Sequence, residues 1–182
     1  MSQLRIFSYL PNPRVWKATI AARLCGVDLE VRGAAPEGLV DWLWDFDARP
    51  IGEVDGATAD AARRVGRIGF KDRPLYKTDA FLVANPFGTV PAAFSEDGEV
   101  GIFESNSILR AVARLASEPG QLYGSDAYEA SRIDSFLDVS LVFGRDAQLY
   151  LFALRGASVP EEIYLRASEV STAEQNQASG AQ

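Results

Sequence analysis

The chain contains no histidine and only one cysteine, Cys25, in 182 residues. Without an imidazole there is neither a Ser-His-Asp triad nor a Cys-His pair, since both need that ring to carry the proton. So few soft donors also argue against a structural zinc site. A lone cysteine excludes an internal disulfide framework. No glycine-rich phosphate loop of the P-loop or dinucleotide type occurs. No apolar run approaches the ~20 residues that cross a membrane as a helix. The stretch Met1–Lys17 lacks the apolar centre of a signal peptide, and prolines interrupt it. Positive charge is in deficit: 18 Lys and Arg stand against 25 Asp and Glu, a net charge of −7. Arg63, Arg64, Arg67, Lys71 and Arg73 cluster, but acids flank them, so a surface that tracks nucleic-acid phosphates is not expected. These absences lead to the expectation of a cytoplasmic protein with no metal, no membrane and no nucleic-acid partner. Any catalysis must come from binding and orienting a substrate that brings its own reactive group.

What is present is ordinary for a soluble fold. Hydrophobic residues make up 47% and charged residues 24%. The length suits one domain or two small ones. Leu4–Tyr9 reads as a strand stopped by Pro11 and Pro13. A helix is expected from about Arg14 to Cys25, with Trp16, Ile20 and Leu24 repeating along one face and Gly26 closing it. Val27, Leu29 and Val31 alternate as a second strand, so the three elements read as a βαβ unit. Residues 34–80 have weak periodicity, and helices are expected at Leu39–Phe46 and Thr58–Val65. So large a connection reads as an insertion, about 36–76, laid over one face of the domain. Trp42, Trp44 and Phe46 within it either line a substrate slot or anchor the insertion to the core.

Strands follow at Val90–Phe94 and Val100–Phe103, joined at Glu96-Asp97-Gly98 by hairpin chemistry. A helix from about Ser105 to Ala116 carries Ile108, Leu109, Val112, Leu115 and Ala116 on one stripe. The order is β-α-β-(insertion)-β-β-α over residues 1–117. Glu118-Pro119-Gly120 marks a linker over 118–125. A long helical pattern then runs from Asp126 to about Leu154, with Gly144 as a point where it can bend. Ser158-Val-Pro-Glu-Glu is a helix-start signal. The helical part is expected over 126–166, and 167–182 has the composition of a disordered tail.

Two short segments carry the chemistry. Asn85-Pro-Phe-Gly-Thr-Val-Pro-Ala places Pro91 at a strand entry. Such a proline either ends a loop or enters the strand through a cis bond that leaves the Val90 peptide group turned outward. Phe103-Glu-Ser-Asn, a dozen residues later, sits where a strand ends and a helix begins. The first N–H groups of a helix are unpaired and partly positive, so Ser105 and Asn106 either cap the helix or help hold an anion there. Glu104 is placed to accept from an ammonium group.

Taken together, Asn-Pro-x-Gly-x-Val-Pro and Glu-Ser-x-x-Ile resemble the N-terminal, thioredoxin-like domain of the glutathione S-transferase superfamily. The first strand and helix, with Phe103-Glu-Ser-Asn, look closest to the transferase-like domain of the gamma subunit of translation elongation factor 1. The resemblance covers residues 4–33 and 77–116 well, 122–155 weakly, and 36–74 not at all. It implies a glutathione site made by Thr89, Val90, Pro91, Glu104, Ser105 and Asn106. There the Val90 backbone would pair with the cysteinyl part, Pro91 would be cis, and Glu104 and Ser105 would hold the γ-glutamyl end. It implies an activity, transfer of glutathione to an electrophilic small molecule as in detoxification, and a homodimer. A donor must then stabilise the glutathione thiolate near the end of the first strand. The candidates are Ser8 or Tyr9, then Asn12, then Arg14.

Two other functions are compatible with the same resemblance: a non-catalytic docking module like the elongation-factor subunit, and a glutathione-dependent thiol-disulfide reductase. Cys25 lies three turns into the first helix rather than at its positive end, and is expected to be a packing residue. Phe143, Arg145 and Tyr150 fall where the resemblance places a second-substrate wall, although helical spacing suits the two aromatics to core packing. The family's second domain is a longer helical bundle, so the all-α part is expected to be incomplete and its long helix to expose an apolar face.

Overall fold

The computed structural model describes residues 3–66, 70, 73–118 and 122–155, the last eight of them by backbone alone. The chain divides into two compact units, Met1–Ser125 and Asp126–Gln182. The first is a thioredoxin-like α/β unit.

Strand β1 (Leu4–Tyr9) leads through a cis Leu10–Pro11 bond into helix α1 (Pro13–Cys25). The helix starts where it does for two local reasons. The Asn12 side chain accepts from the Arg14 N–H, and Pro13 at the first position loses a donor that would have been unpaired anyway. It stops at Gly26, whose φ of 66° lets its N–H turn back to the Ala22 carbonyl. Strand β2 (Leu29–Ala34) then pairs in parallel with β1, completing the expected βαβ unit. Gly33 has φ 148° and lies against β1 so closely that an added Cβ would stand 1.7 Å from the Ser8 carbonyl oxygen. Strands β7 (Ala92–Ser95) and β8 (Gly101–Phe103) form an antiparallel hairpin beside β1, and helix α4 (Ser105–Arg114) follows. The sheet order is β2-β1-β7-β8.

The intervening segment is where the structure departs from expectation. It contains a 3-10 turn (Pro36–Asp41), β3 (Trp42–Trp44), β4 (Arg49–Pro50), a second short turn (Ile51–Glu53), α2 (Gly56–Ala62), β5 (Arg63–Val65) and β6 (Pro74–Lys77). Its strands form a second four-stranded sheet, ordered β4-β3-β6-β5. The helix expected over Leu39–Phe46 is absent: Trp42–Trp44 is a strand instead, paired with Tyr76–Lys77 on one side and Arg49–Pro50 on the other. The helix expected over Thr58–Val65 begins earlier, at Gly56 under an Asp55 cap, and gives way to β5. A further short helix, α3 (Asp79–Ala84), was not anticipated. The Thr78 hydroxyl caps it by accepting from the Phe81 N–H.

Apolar side chains pack on both faces of the first sheet. Leu4, Ile6 and Ala93 meet α1 and α4 through Val15, Ala18, Ala21, Ala22, Cys25, Ile108 and Val112. Here the expected face of α1 is corrected. Trp16, Ile20 and Leu24 are 52%, 57% and 59% exposed, because three alanines, Val15 and Cys25 let the helix approach the sheet closely and turn its large residues outward. Leu115, expected on the buried stripe of α4, is likewise exposed. Cys25 is buried, as expected of a packing residue.

On the opposite face, Phe7, Ala92 and Phe94 meet Phe81 of α3 and Leu39, Trp44, Ala48 and Leu75 of the insertion. Trp44 is the anchor. It stands edge-on to Phe7 (5.5 Å between centroids), Phe70 (5.8 Å) and Phe81 (5.9 Å), and its indole N–H donates to the Leu39 carbonyl at 3.0 Å. Of the two roles open to the aromatic cluster, Trp44 thus takes the anchoring one. A chain of ion pairs, Arg5–Glu30–Arg32–Asp47–Arg49, ties the two sheets together along the surface.

In the second unit, α5 (Ala127–Arg155) runs through Gly144 without interruption, and the Asp126 carboxylate caps it by accepting from the N–H groups of Tyr128 and Glu129. Phe136, Val139 and Val142 on it are exposed. The expected helix start at Ser158, the polar tail from 167 and residues 119–121 of the expected 118–125 linker lie outside the described residues.

Candidate functional site

Strand directions bring the separate sequence segments together. β1 and β8 both point toward one end of the sheet, while β7 begins there, since Phe7 pairs with Ala92 and Ala92 with Phe103. The last residues of β1, the start of α1, the Val90–Pro91 step and the start of α4 therefore meet at one end. This gathers Tyr9, Asn12, Val90, Glu104 and Ser105 from positions up to a hundred residues apart.

The Val90 loop is held from behind. The Val90–Pro91 bond is cis, and Pro91 is buried. The Asn85 amide donates to the Thr89 carbonyl at 2.7 Å, and the Lys77 ammonium donates to the Gly88 carbonyl at 2.6 Å. Lys77 also lies over the Trp44 ring, 4.4 Å from its centroid, and its half-burial lowers its pKa. The insertion thus reaches the loop through a lysine that sequence reasoning did not single out. Thr89 is exposed and Val90 half-buried. Among the described residues, the Val90 peptide group has no hydrogen-bond partner.

The α4 end is built differently from an ordinary cap. Glu104 occupies the N-cap position with φ 68°, the one positive φ of a non-glycine among the described residues. A carboxylate-bearing residue in that region costs on the order of 1–3 kcal/mol. Its side chain makes no capping hydrogen bond and is exposed. Ser105 and Asn106 are only 4% and 3% exposed. Asn106 accepts from the Lys17 ammonium. The Ser105 hydroxyl has no partner among the described residues. A helix end with its first N–H groups uncapped and a hydroxyl beside them that is not bonded within the fold is suited to an anion.

The thiolate-donor candidates separate into two groups. Ser8 and Asn12 are fully buried and bonded to each other, the Asn12 amide donating to the Ser8 hydroxyl at 3.0 Å. The Asn12 oxygen is occupied by the Arg14 N–H at 2.9 Å. Tyr9 is half-buried and packs on the Phe7 side of the sheet, away from α1. Arg14 is exposed at the start of α1. Cys25, 2% exposed at the far end of α1, offers no accessible thiol for disulfide exchange. In the second unit Arg145 pairs with Asp146 at 3.0 Å, Phe143 is half-buried, and the Tyr150 side chain lies outside the description. Among the described residues no group of three or more metal-ligating side chains occurs, and no helix is long and apolar enough to cross a membrane.

Comparison with known proteins follows the same lines. No family model matches the chain. Elongation factor 1-gamma of Trypanosoma cruzi is 40% identical over 89 residues, which are 47% of this chain and 21% of that protein. Glutathione S-transferase F9 of Arabidopsis thaliana is 38% identical over 65 residues, 35% of this chain and 29% of that protein. The match thus spans less than a third of either relative's length. A delta-class glutathione transferase of Nilaparvata lugens superposes with a TM-score of 0.58 at 14% identity, covering 92% of this chain and 62% of the other. A glutathione transferase homologue from Sulfitobacter, solved with bound glutathione, superposes with a TM-score of 0.51 at 18% identity, covering 98% and 68%. The chain has the glutathione-transferase fold. Its relatives in sequence are of two kinds, a transferase and an elongation-factor subunit.

Proposed function

We propose that the protein binds glutathione at this end of the sheet and directs its thiolate onto a small electrophile. The supporting observation is the α4 terminus: N–H groups with no side-chain cap and the hydroxyl of Ser105, a residue only 4% exposed, which has no partner among the described residues, with an exposed carboxylate on Glu104 beside them. A γ-glutamyl group is a zwitterion, and this pair matches it. Its carboxylate takes the helix end and Ser105, and its ammonium takes Glu104. The open Val90 peptide group suits the extended backbone of a tripeptide. Of the donor candidates, Arg14 has the exposed cation, so it is assigned the thiolate. The sulfur then forms a bond to an electrophilic carbon, and either a leaving group departs with the displaced electron pair or a conjugated bond accepts it. The protein's share is position and charge. The reading extends to a cytoplasmic, homodimeric, detoxifying enzyme, supported by the likeness to transferases alone.

Titration calorimetry with glutathione tests it. Binding in the micromolar-to-millimolar range is expected, weakened about tenfold or more in Ser105→Ala, the loss of one hydrogen bond to a charged group. Unchanged affinity in that variant would refute the site.

One observation favours a second reading, a docking module without turnover. The hydroxyl of Ser8 and the amide of Asn12 are bonded to each other inside the fold rather than turned to a ligand. Turnover of an aryl halide by the wild type, lost in Arg14→Ala, decides for the enzyme. Glutathione binding without turnover decides for the module.

A further inference from the structure

Lys17 is placed in a way that packing does not explain. It lies in the second turn of α1, half-buried, and its ammonium reaches across to Asn106, the second residue of α4. Four charged or polar groups face it. Arg14 on its own helix and Arg110 on α4 repel it, Glu104 at the entry to α4 attracts it, and Asn106 accepts its hydrogen bond. The positive end of the α4 dipole adds to the repulsion. A half-buried ammonium is ordinarily set among acids. Here two arginines and one carboxylate act on it. Burial first, then Arg14, holds the Lys17 pKa down at about 8. At the same helix end stand the uncapped N–H groups and the hydroxyl of the buried residue Ser105, which has no partner among the described residues.

We propose that Lys17 is a specificity-determining residue of this site, its ammonium matched to a carboxylate bound at the start of α4, so that binding of the anion is coupled to protonation of Lys17. The inference rests on the glutathione reading, because it needs a carboxylate-bearing ligand there. An anion at the helix end places negative charge beside the Lys17 ammonium, which already reaches Asn106 there, and favours the charged form of Lys17, raising its pKa in the complex. The sign follows. Below about pH 8 Lys17 is charged with or without ligand. Above that value the free protein has lost the proton and the complex retains it, so binding takes up a proton and affinity falls as pH rises, by up to about tenfold per pH unit. Neutral analogues lacking the carboxylate bind without this dependence.

The test is calorimetry at pH 8.5 with S-methylglutathione, whose blocked sulfur cannot titrate, in two buffers of unequal ionisation heat. The difference between buffers counts the protons taken up. Wild type is expected to take up a substantial fraction of one proton more than Lys17→Met, which retains most of the stem. Lys17→Met is also expected to bind several-fold more weakly at pH 7. Lys17→Arg keeps the cation at every pH, so it should bind without the extra uptake and lose less affinity from pH 7 to pH 9. Ser105→Ala should bind more weakly yet retain the uptake. Equal uptake in wild type, Lys17→Met and Lys17→Arg, with Ser105→Ala still weakened, would overturn the role of Lys17 and leave the glutathione site standing. If Lys17→Met fails to fold, uptake by Lys17→Arg equal to wild type overturns it alone. No binding by folded wild type overturns both.

Discussion

Replacing Asn12 with alanine asks whether the elbow between β1 and α1 is structural or catalytic. The side chain is fully buried and makes two hydrogen bonds, to the Arg14 N–H at 2.9 Å and to the Ser8 hydroxyl at 3.0 Å. Loss of the cap costs about 1 kcal/mol. Loss of the second bond, with the Ser8 hydroxyl left stranded in the interior, adds about 1–2 kcal/mol. Asn12→Ala should therefore lose about 2–3 kcal/mol, and Ser8→Ala about 1–2 kcal/mol, since it strands the amide in turn. In the double variant neither group is stranded, so the total should be smaller than the sum by about 1–2 kcal/mol. Urea unfolding reads all four proteins, followed by tryptophan fluorescence with Trp44 buried as the reporter. Additivity to within about 0.5 kcal/mol would refute the coupled pair. Ser8 would then return as a candidate for the thiolate.

Gly33→Ala should be among the most damaging single changes, costing about 3 kcal/mol or more, because the new Cβ meets the Ser8 carbonyl at 1.7 Å in a backbone with φ 148°. Gly56→Ala, at the start of α2 with nothing within 4 Å of the new carbon, should instead gain about 0.4–1 kcal/mol, and equal urea midpoints for the two variants would contradict the geometry. Lys77→Met removes the donor to the Gly88 carbonyl and should loosen the Val90 loop without unfolding the sheet. Faster hydrogen exchange at the Gly88 amide and roughly two- to tenfold weaker glutathione binding are expected, the effect of one ordinary hydrogen bond. An unchanged exchange rate there would show that the insertion does not position the loop.

The β1-α1-β2 unit was legible because its signals are local. Asn12, Pro13 and Gly26 set the ends of α1 by bonds within a few residues. The face of α1 was not legible, because periodicity weights large residues. Trp16, Ile20 and Leu24 make the louder stripe, yet Ala18, Ala21 and Ala22 make the closer contact. The insertion failed for a different reason. Trp42–Trp44 has no alternation to read, since Leu43 and Trp44 are both buried, and its partners at Arg49–Pro50 and Tyr76–Lys77 are chosen by distance along the chain that no local pattern encodes. α3 is a single short helix whose Thr78 cap is also bonded to Asp45, so its start depends on the insertion being folded.

The candidate site follows the same division, and this bears on what the fold can do. Val90–Pro91 and Glu104–Asn106 were readable as motifs, because a strand entry and a helix start are places where backbone groups go unpaired by construction. Which side chain faces a bound sulfur was not readable. Ser8 and Asn12 are four residues apart, and only the turn through Pro11 and Pro13 decides that they bond to each other. Lys17 was visible only as a lysine near the start of a helix. Its meaning comes from α4, whose second residue it reaches across 89 positions of sequence. The groups that hold a peptide backbone are thus properties of the fold, shared by any chain that adopts it. The groups proposed to set charge at the site, Arg14 and Lys17, and the buried Ser8–Asn12 pair belong to this sequence. On the proposed reading, a glutathione-binding module and a glutathione-using enzyme are told apart by substitutions at those side chains rather than in the sheet.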